Sequence, residues 1–508
     1  MRRWLCLLLL AASCAHPKPA PAPDLHTARL AAAAAQVRAG CLECLIAAYR
    51  EYDALRAIPA AVDAATIGAV RAAALIALRE RELGMLDEGY LQRARDAAAS
   101  RPNVPAPLVG ILDVIDAVPR ANVGAGRPTS DADLERMRVE RTNRPAWTDA
   151  LRESAATDEA IAYTWLSFMC GSSDPRAPSR DEILAVASPF HQMPLVTFRE
   201  ATCKTIAGPL LESLVAAEPR FVEVSYFLGQ LDVARQRLDE ADAAFDRAYA
   251  WHPQWPTLTL SMANVAMTAE EFDRALQMYD ATLQAEPRAV DALLGRVRAL
   301  TFLGRNDEAI ATIDQLLAER WYLGDARYWR ALNETQLARY DEAWTDIELA
   351  AKLLINAEVP KLAGIISYRR HELEVSRAKF DESRSRNVHD CETGFYLGVV
   401  LAELRQWPRT TEVLLDTARC LDNAEEKTRT EIAEIAASTE PAARKAKKIA
   451  KREQLIVAGR RMRAQSWFNT AVAYFNLSRK DDARDFAEKV AADEVFGERA
   501  RDLLSRLK

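Results

Sequence analysis

Two cysteines separated by two residues are the first feature of this sequence that could carry out chemistry. Cys41-Leu42-Glu43-Cys44 is a CxxC motif, and such a pair can cycle between dithiol and disulfide when one thiol ionises readily. We place Cys44 near the N-terminus of a helix, where a thiolate is stabilised. The motif therefore allows a thiol–disulfide redox function, and a structural disulfide or an inert pair is the alternative.

Other uses of this motif lack the residues that they need. Leu45 stands where haem attachment of the CxxCH type requires a histidine, and the sequence contains no second CxxC to complete a zinc site. A thioredoxin-like enzyme also needs a βαβ pattern around the motif, which is missing here. We therefore predict neither haem nor a metal site.

The rest of the sequence shows no catalytic signature. The six histidines are scattered, and the HExxH, GxSxG, P-loop and GxGxxG motifs are absent. The 67 basic and 73 acidic residues give a net charge of −6, which argues against nucleic-acid binding. We predict a protein that is not an enzyme, binds no cofactor and has no small-molecule substrate.

The N-terminus has the pattern of an export signal. Residues 1–3 include two arginines, residues 4–10 are apolar, and residues 11–13 are small. Cys14 follows directly and resembles the lipid-modified cysteine of the bacterial lipobox. This resemblance implies lipidation at Cys14, and an ordinary cleaved signal peptide is the alternative.

The residues after the signal alternate proline with small side chains, which favours an extended spacer. We predict that residues 1–13 are a signal peptide and that residues 14–26 are a proline-rich linker. Such a linker would hold a lipid-anchored protein away from the membrane surface. We expect a position on the periplasmic side of the outer membrane.

Composition and periodicity predict an all-α fold. The chain of 508 residues is 49% apolar and contains only 18 glycines and 23 prolines, which favours helices over a turn-rich β fold. Alanines recur at one constant interval, at Ala207, Ala241, Ala275, Ala309 and Ala343. A fixed period of this length indicates repeated helical hairpins.

The period and its content resemble the tetratricopeptide repeat (TPR) family. One repeat matches the family pattern at six positions, namely Leu228-Gly229, Ala241, Phe245, Ala248 and Pro253. The resemblance implies pairs of antiparallel helices that stack into a right-handed superhelix. Small residues let the paired helices approach closely, and Phe245 fills the space beside them.

Weaker repeats extend the pattern and suggest the organisation of the chain. We predict N-terminal degenerate TPR-like helices in 27–102, a loop-rich helical segment that is not readable as repeats in 103–187, a TPR array in 188–357, irregular TPR-like repeats in 358–424, and C-terminal helices with a basic run and a final repeat in 425–508.

One interval interrupts the period. Phe380-Asp381-Glu382 resembles the motif that precedes the repeated alanines, and Ser383 then lies further from Ala343 than the constant interval allows. We therefore expect about six inserted residues near 355–360 and a short helix after Ser383.

Two further features depend on the repeat. Cys391 falls at the first position of a repeat and Cys420 at about the thirtieth, so both lie at the same end of one hairpin and can form a disulfide if they face each other. Two buried thiols are the alternative. Residues 444–463 contain nine basic residues and one glutamate, which suggests a solvated helical face or a contact with an anionic partner.

The resemblance also implies where a partner would bind. In the family, the second, fifth, ninth and twelfth positions of each first helix line a groove. The fifth and ninth positions here include Tyr226, Gln230, Asn264, Arg298 and Tyr328. Polar side chains at this spacing suit the backbone of an extended peptide, and tyrosines suit its side chains.

The second positions indicate the charge of that peptide. They are Glu223, Thr257, Asp291 and Asp325, so a basic peptide is expected. Our hypothesis is a membrane-tethered, non-enzymatic TPR scaffold that mediates protein–protein interactions in the bacterial cell envelope. A periplasmic thiol–disulfide redox protein that uses Cys41 and Cys44 is the alternative.

Overall fold

The computed structural model describes residues 25–118, 120–121, 131–171, 178–319, 323–440 and 442–507. Cys14 and the predicted signal peptide lie outside these residues. Within them, the regular structure consists of 25 α-helices and one 3-10 helix, without a strand. The all-α prediction is confirmed.

The described residues fall into two compact units. The first takes them from Met1–Glu82, Asp87–Arg120 and Ser130–Val224, and the second takes them from Leu83–Leu86, Ala121–Thr129 and Ser225–Lys508. The helices of the first unit are α1 Leu25–Ala39, α2 Leu42–Leu55, α3 Val62–Leu83, α4 Tyr90–Ala99, α5 Ala106–Ala117, α6 Asp131–Ser154, α7 Glu159–Cys170, α8 Arg180–Ala187, α9 Pro194–Thr202 and α10 Gly208–Ala217.

Helix α7 supplies much of the core of the first unit, although its sequence could not be read as part of a repeat. All residues from Ala160 to Cys170 are buried, and the indole of Trp165 donates a hydrogen bond to the carbonyl of Ile183 at 2.9 Å. A helix that is apolar on every face is expected only at the centre of a domain. The helices of the 103–187 segment, α5 to α8, therefore belong to this unit.

A buried polar network joins distant parts of the first unit. The guanidinium of Arg79 is fully buried and donates to Glu223 at 3.2 Å, to Tyr163 at 3.1 Å and to Glu82 at 3.1 Å. It also lies 4.1 Å from the ring centre of Phe198. Because a lone buried charge is very costly, these partners are required for Arg79 to be accommodated.

The second unit is built mainly from helical hairpins. Its helices are α11 Val224–Ala234, α12 Leu238–Trp251, α13 Pro256–Thr268, α14 Phe272–Ala285, α15 Val290–Phe302, α16 Asn306–Glu319, α17 Gly324–Gln336, α18 Tyr340–Leu353, α19 Glu358–Arg369, α20 Leu373–Arg386, α21 Cys391–Glu403, α22 Trp407–Ala437, α23 Ala442–Asn476, α24 Lys480–Val490 and α25 Gly497–Arg506. Odd-numbered helices from α11 to α23 are the first helices of seven hairpins.

The turn inside each hairpin uses the same local geometry. One residue with positive φ follows each first helix, at Gln236, Glu270, Gly304, Ala338, His371, Arg405 and Ser478. The next amide in each turn bonds back to the carbonyl five residues earlier, as Arg237 does to Asp232 at 2.8 Å and Arg339 to Glu334 at 2.8 Å. This is the Schellman arrangement that ends a helix by satisfying its free carbonyls.

These turns correct the expected interruption of the period. The step from Ala338 to His371 is one residue shorter than the step from Gly304 to Ala338, so this repeat contains no six-residue insertion. Helix α20 has 14 residues, as α18 does, and is not short. The sequence misled because Phe380-Asp381-Glu382 lies further along α20, where Phe380 packs against Gly364 as Phe245 packs against Gly229.

Two adjacent helices, α22 and α23, are much longer than the others. Helices α22 and α23 contain 31 and 35 residues and form one long antiparallel hairpin. In the described residues 422–440 and 442–455, no residue is buried. The far part of this hairpin therefore has no apolar core of its own.

The close approach of paired helices can be tested at Gly398. A β-carbon there would lie 2.1 Å from Cδ2 and 2.5 Å from Cγ of Leu414. We expect Gly398→Ala to lower the free energy of unfolding by about 1–3 kcal/mol, as measured by chemical denaturation. Gly110→Ala is the matched control, because a β-carbon at Gly110 meets nothing within 4 Å, and it should stabilise α5 slightly.

A second variant checks that the loss comes from this contact. Leu414→Ala makes room for the new methyl group, so the double variant should be less destabilised than the sum of the two single changes. Strict additivity would show that Gly398 and Leu414 do not limit the helix spacing.

The buried carboxyl group of Glu80 predicts a pH dependence of stability. Burial, followed by the nearby charges of Asp87 and Glu88, raises the pKa of Glu80 from 4.5 to about 8, and its Oε2 has no hydrogen-bond partner within the described part of the chain. When the pH lies between the ordinary and the raised pKa of Glu80, the unfolded chain loses this proton while the folded chain keeps it. Stability therefore falls as the pH rises through this range. Below the lower value the contribution is fully retained.

Glu80→Gln removes this titration. We expect the variant to match the parent near pH 4.5 and to exceed its stability by about 2 kcal/mol or more at pH 9, since one pKa unit corresponds to ~1.4 kcal/mol. Thermal unfolding of both proteins across this range measures the difference. A difference that does not change with pH would contradict the raised pKa.

Candidate functional site

Four acidic residues recur at the start of consecutive first helices. Asp291, Asp325, Glu358 and Glu392 lie in the first turns of α15, α17, α19 and α21, and we call them the groove acids. Acidic side chains at this position also stabilise the helix, because they interact favourably with its dipole. Asp325, Glu358 and Glu392 are exposed, so a partner can reach their carboxylates.

Lys361 shows how a cation is held beside the groove acids. Its Nζ lies 2.8 Å from Glu358, 3.2 Å from Asp390 and 3.4 Å from Glu392. Burial lowers the pKa of Lys361, but these carboxylates outweigh it and raise the pKa above the ordinary value. One ammonium among three carboxylates leaves a local excess of negative charge.

Tyr328 lies next to this charged group. Burial raises the pKa of its hydroxyl, and the charge of Glu358 raises it further. The ring is half-buried and contacts Trp329 edge to face, with centres 5.7 Å apart. Tyr328 therefore offers a partly exposed aromatic surface close to the groove acids.

The structure brings together two of the three predicted polar groove residues. Gln230 donates to the hydroxyl of Ser261 at 2.8 Å, and Asn264 accepts from the hydroxyl of Tyr279 at 2.8 Å. Gln230 and Asn264 line one cavity of about 180 Å³. These two internal hydrogen bonds orient the side chains of Gln230 and Asn264.

Arg298 lies outside that cavity. Its guanidinium is 5.8 Å from the ring centre of Trp329, and Phe302 lies 6.3 Å from the same indole. Phe302 is 54% exposed and stacks on Phe272 at 4.8 Å. Arg298 therefore belongs to an aromatic surface. The repeat pattern does not reveal this surface, because Phe302 and Trp329 occupy different positions in their repeats.

Tyr226 is half-buried, as Tyr328 is, and its ring packs against two other aromatic rings. Its ring lies 4.8 Å from that of Trp255 and 6.0 Å from that of Phe245, and burial raises the pKa of its hydroxyl. Trp255 is fully buried, which fixes the position of Tyr226. Tyr226 and Tyr328 both occupy the fifth position of their repeats, and both are half-buried.

The first two of the predicted second positions, Glu223 and Thr257, do not face a groove. Glu223 is fully buried, where it accepts from Arg79 and from the amide of Leu42. Thr257 is also buried and donates to the carbonyl of Leu83. The negative face lies instead at the four groove acids. Glu358 and Glu392 were missed because the expected insertion shifted the repeat.

Three disulfides connect the six described cysteines. The α-carbons are 4.9 Å apart for Cys41–Cys44, 4.9 Å for Cys170–Cys203 and 5.6 Å for Cys391–Cys420. Cys170–Cys203 was not proposed from the sequence, because Cys170 lies in the 103–187 segment that could not be read as repeats. Cys41 and Cys44 are both buried, so neither sulfur is presented to solvent.

The comparison with known families supports the TPR resemblance. Residues 260–323 match the family model described as a tetratricopeptide repeat. These residues include α14, α15 and α16 of the second unit. Among the helices that the structure describes, none has the length and apolarity needed to cross a membrane.

Curated relatives are similar in sequence to part of this chain. ER membrane protein complex subunit 2-A of Xenopus laevis is 28% identical over 152 residues, which are 28% of this chain and 49% of that protein. Subunit 2-B of the same complex and organism is 29% identical over 143 residues, or 26% of this chain and 46% of that protein. The chain thus spans about half the length of the curated relatives it matches.

Solved TPR structures also resemble the chain. A TPR protein of Parabacteroides merdae ATCC 43184 has a TM-score of 0.36 and 16% identity, and the match covers 56% of this chain and 98% of that one. A thermophilic TPR protein of Thermus thermophilus, TTC0263, has a TM-score of 0.30 and 17% identity, with 35% and 98% covered.

Proposed function

We propose that the repeat array is a non-enzymatic protein-interaction scaffold that binds an extended, basic segment of a partner protein. The groove acids carry this proposal. They present four carboxylates from four consecutive first helices, and they recur in step with the repeat. A row of like charges on stacked repeats suits a chain that carries several cations along its length.

The contacts of Lys361 support the same charge preference. Three carboxylates lie within 3.4 Å of its ammonium, so an additional cation from a partner would meet the same excess negative charge. Tyr328 offers aromatic surface beside it, and such a ring can contact an aliphatic or cationic side chain. Gln230, Asn264 and Arg298 supply polar groups for the peptide backbone.

The test uses two defined peptides. One is a labelled peptide of twelve residues that alternates lysine with alanine, and the other replaces each lysine with glutamate. We expect the lysine peptide to bind the parent protein and the glutamate peptide to bind far more weakly, as measured by fluorescence anisotropy. Equal affinity for both peptides would contradict the proposed charge preference.

Neutral variants locate the binding face. Changing the groove acids together, as Asp291→Asn, Asp325→Asn, Glu358→Gln and Glu392→Gln, should weaken lysine-peptide binding at least tenfold and flatten its dependence on salt. The matched control neutralises four exposed acids, one on each of the second helices α16, α18, α20 and α22: Glu308, Glu348, Glu374 and Glu412. This control should leave affinity nearly unchanged.

The polar residues form a second arm of the test. Replacing Gln230, Asn264 and Arg298 with alanine removes three hydrogen-bonding side chains, each worth about 0.5–1.5 kcal/mol. A loss of affinity of tenfold or more is expected while circular dichroism stays unchanged. Parent-like affinity in this triple variant would exclude these three residues from the peptide contact.

We also propose that the scaffold is lipid-anchored through Cys14 on the periplasmic side of the outer membrane. The small residues before Cys14 and the proline-rich linker after it support this tether. The relatives, which are subunits of a complex named for a membrane, are compatible with a scaffold at a membrane surface.

Cys14→Ala tests the tether. We expect the parent to fractionate with membranes and the variant to move to the soluble fraction, because the variant has no sulfur to lipidate. Mass spectrometry of the mature N-terminus identifies the modification. An unchanged membrane fraction for the variant would rule out Cys14 as the anchor.

The alternative is a thiol–disulfide function of Cys41 and Cys44. The burial of both side chains weighs against it, since an exchange partner must reach a sulfur atom. A redox titration distinguishes the two functions. A structural disulfide resists mild reduction, whereas a catalytic one cycles.

A further inference from the structure

The far part of the long hairpin is held by charge rather than by an apolar core. We define the distal hairpin as the described residues of 425–455, at the C-terminal end of α22 and the N-terminal end of α23. None of them is buried. At the hairpin base, Glu425 binds Arg460 at 2.6 Å and Arg463 at 3.4 Å, so the two helices remain joined there.

Arg444 attaches the distal hairpin to the repeat array. Its guanidinium binds Asp242 at 3.1 Å, Glu271 at 2.8 Å and also Asp239. Only 13% of the Arg444 side chain is exposed. These acids precede Arg444 by 173 to 205 residues in the chain, so the contact joins distant parts of the second unit.

Two helical turns further along α23, two more basic side chains contact the array. Lys451 lies 3.1 Å and Arg452 2.9 Å from the carboxylate of Glu270. The Lys451 ammonium is also 5.2 Å from the ring centre of Phe272 and 5.9 Å from that of Phe302. The helix thus meets both carboxylates and aromatic faces.

The acceptors form one surface of the array. We call Asp239, Asp242, Glu270 and Glu271 the edge acids; Asp239 lies in the first turn of α12, Asp242 follows it on the same helix, and Glu270 and Glu271 lie at the turn before α14. Arg274 neutralises part of this surface through Asp242 at 2.9 Å and Glu271 at 3.5 Å. The charges of α23 complete the neutralisation.

Contacts of this kind release at low cost. The pairs that Lys451 and Arg452 make with Glu270 are partly exposed, so each contributes little to stability, and salt screens them. Without buried apolar surface, the distal hairpin has little else to hold it against the array. Elements with these properties open locally before the rest of a domain.

We propose that the distal hairpin is a releasable latch and that the edge acids with Phe272 and Phe302 form a docking surface for basic helical segments. In the closed state, the chain's own residues 442–456 occupy this surface. A basic segment of a partner competes for it and displaces the latch. The proposal extends the preference for basic partners stated above, but it concerns different acids.

Hydrogen exchange tests the latch in the full chain. The variant Arg444→Ala, Lys451→Ala, Arg452→Ala should lose at least tenfold of the amide protection in the distal hairpin, and 0.5 M salt should act similarly on the parent. The matched control removes three arginines that pair within their own helices: Arg377→Ala, Arg419→Ala and Arg506→Ala. Unchanged protection in the first variant would overturn the latch.

A peptide with the sequence of residues 442–456 tests the docking surface. It should bind the opened triple variant at least tenfold more tightly than the parent, because the parent's own helix competes. Asp239→Asn, Glu270→Gln and Glu271→Gln together should also open the latch but should bind no peptide. Equal binding to parent and opened variant, or binding to this edge variant, would overturn the docking surface.

The same peptide separates this proposal from the groove. Neutralising Asp291, Asp325, Glu358 and Glu392 should leave its affinity for the opened variant unchanged. If lysine–alanine peptides fail to bind the groove acids while this peptide still binds the edge, the groove proposal fails and the latch stands. A loss of this peptide's affinity on neutralising the groove acids would contradict a separate docking surface.

Discussion

The close approach of the two helices in each hairpin is the constraint on which the second unit depends. At Gly229, Gly364 and Gly398 a β-carbon would lie less than 3 Å from Phe245, Phe380 and Leu414 respectively, so in these three hairpins the paired helices can pack at this distance only around a glycine. This contact fixes the alignment of the hairpin, and the Schellman turn then closes it. The positions that face a partner follow from that alignment.

Much of this arrangement could be predicted from the sequence because it is local. The Leu228-Gly229 pair, the repeated alanines and the composition together indicated helical hairpins of constant period. The prediction failed where two similar motifs competed. Phe380-Asp381-Glu382 resembled the start of a second helix, but the packing of Phe380 against Gly364 places it in the middle of α20.

The contacts between distant residues could not be predicted in the same way. Nothing near Arg444 in the chain indicates that it meets Asp239, Asp242 and Glu271, because these pairs depend on how many repeats separate them and on the unusual length of α22 and α23. Burial has the same character. Glu223 occupies a groove position in the repeat, yet its buried carboxylate pairs with Arg79. The repeat pattern does not include Arg79.

A basic peptide is expected to lie along the first helices and to contact their exposed face. A photo-activatable amino acid placed at Arg298 on α15 or at Glu348 on α18 tests it directly, since both positions are exposed and lie on a first and a second helix. Irradiation with the lysine–alanine peptide should give cross-links from position 298 and none from position 348. Cross-links from position 348 alone would show that the peptide does not lie along the first helices.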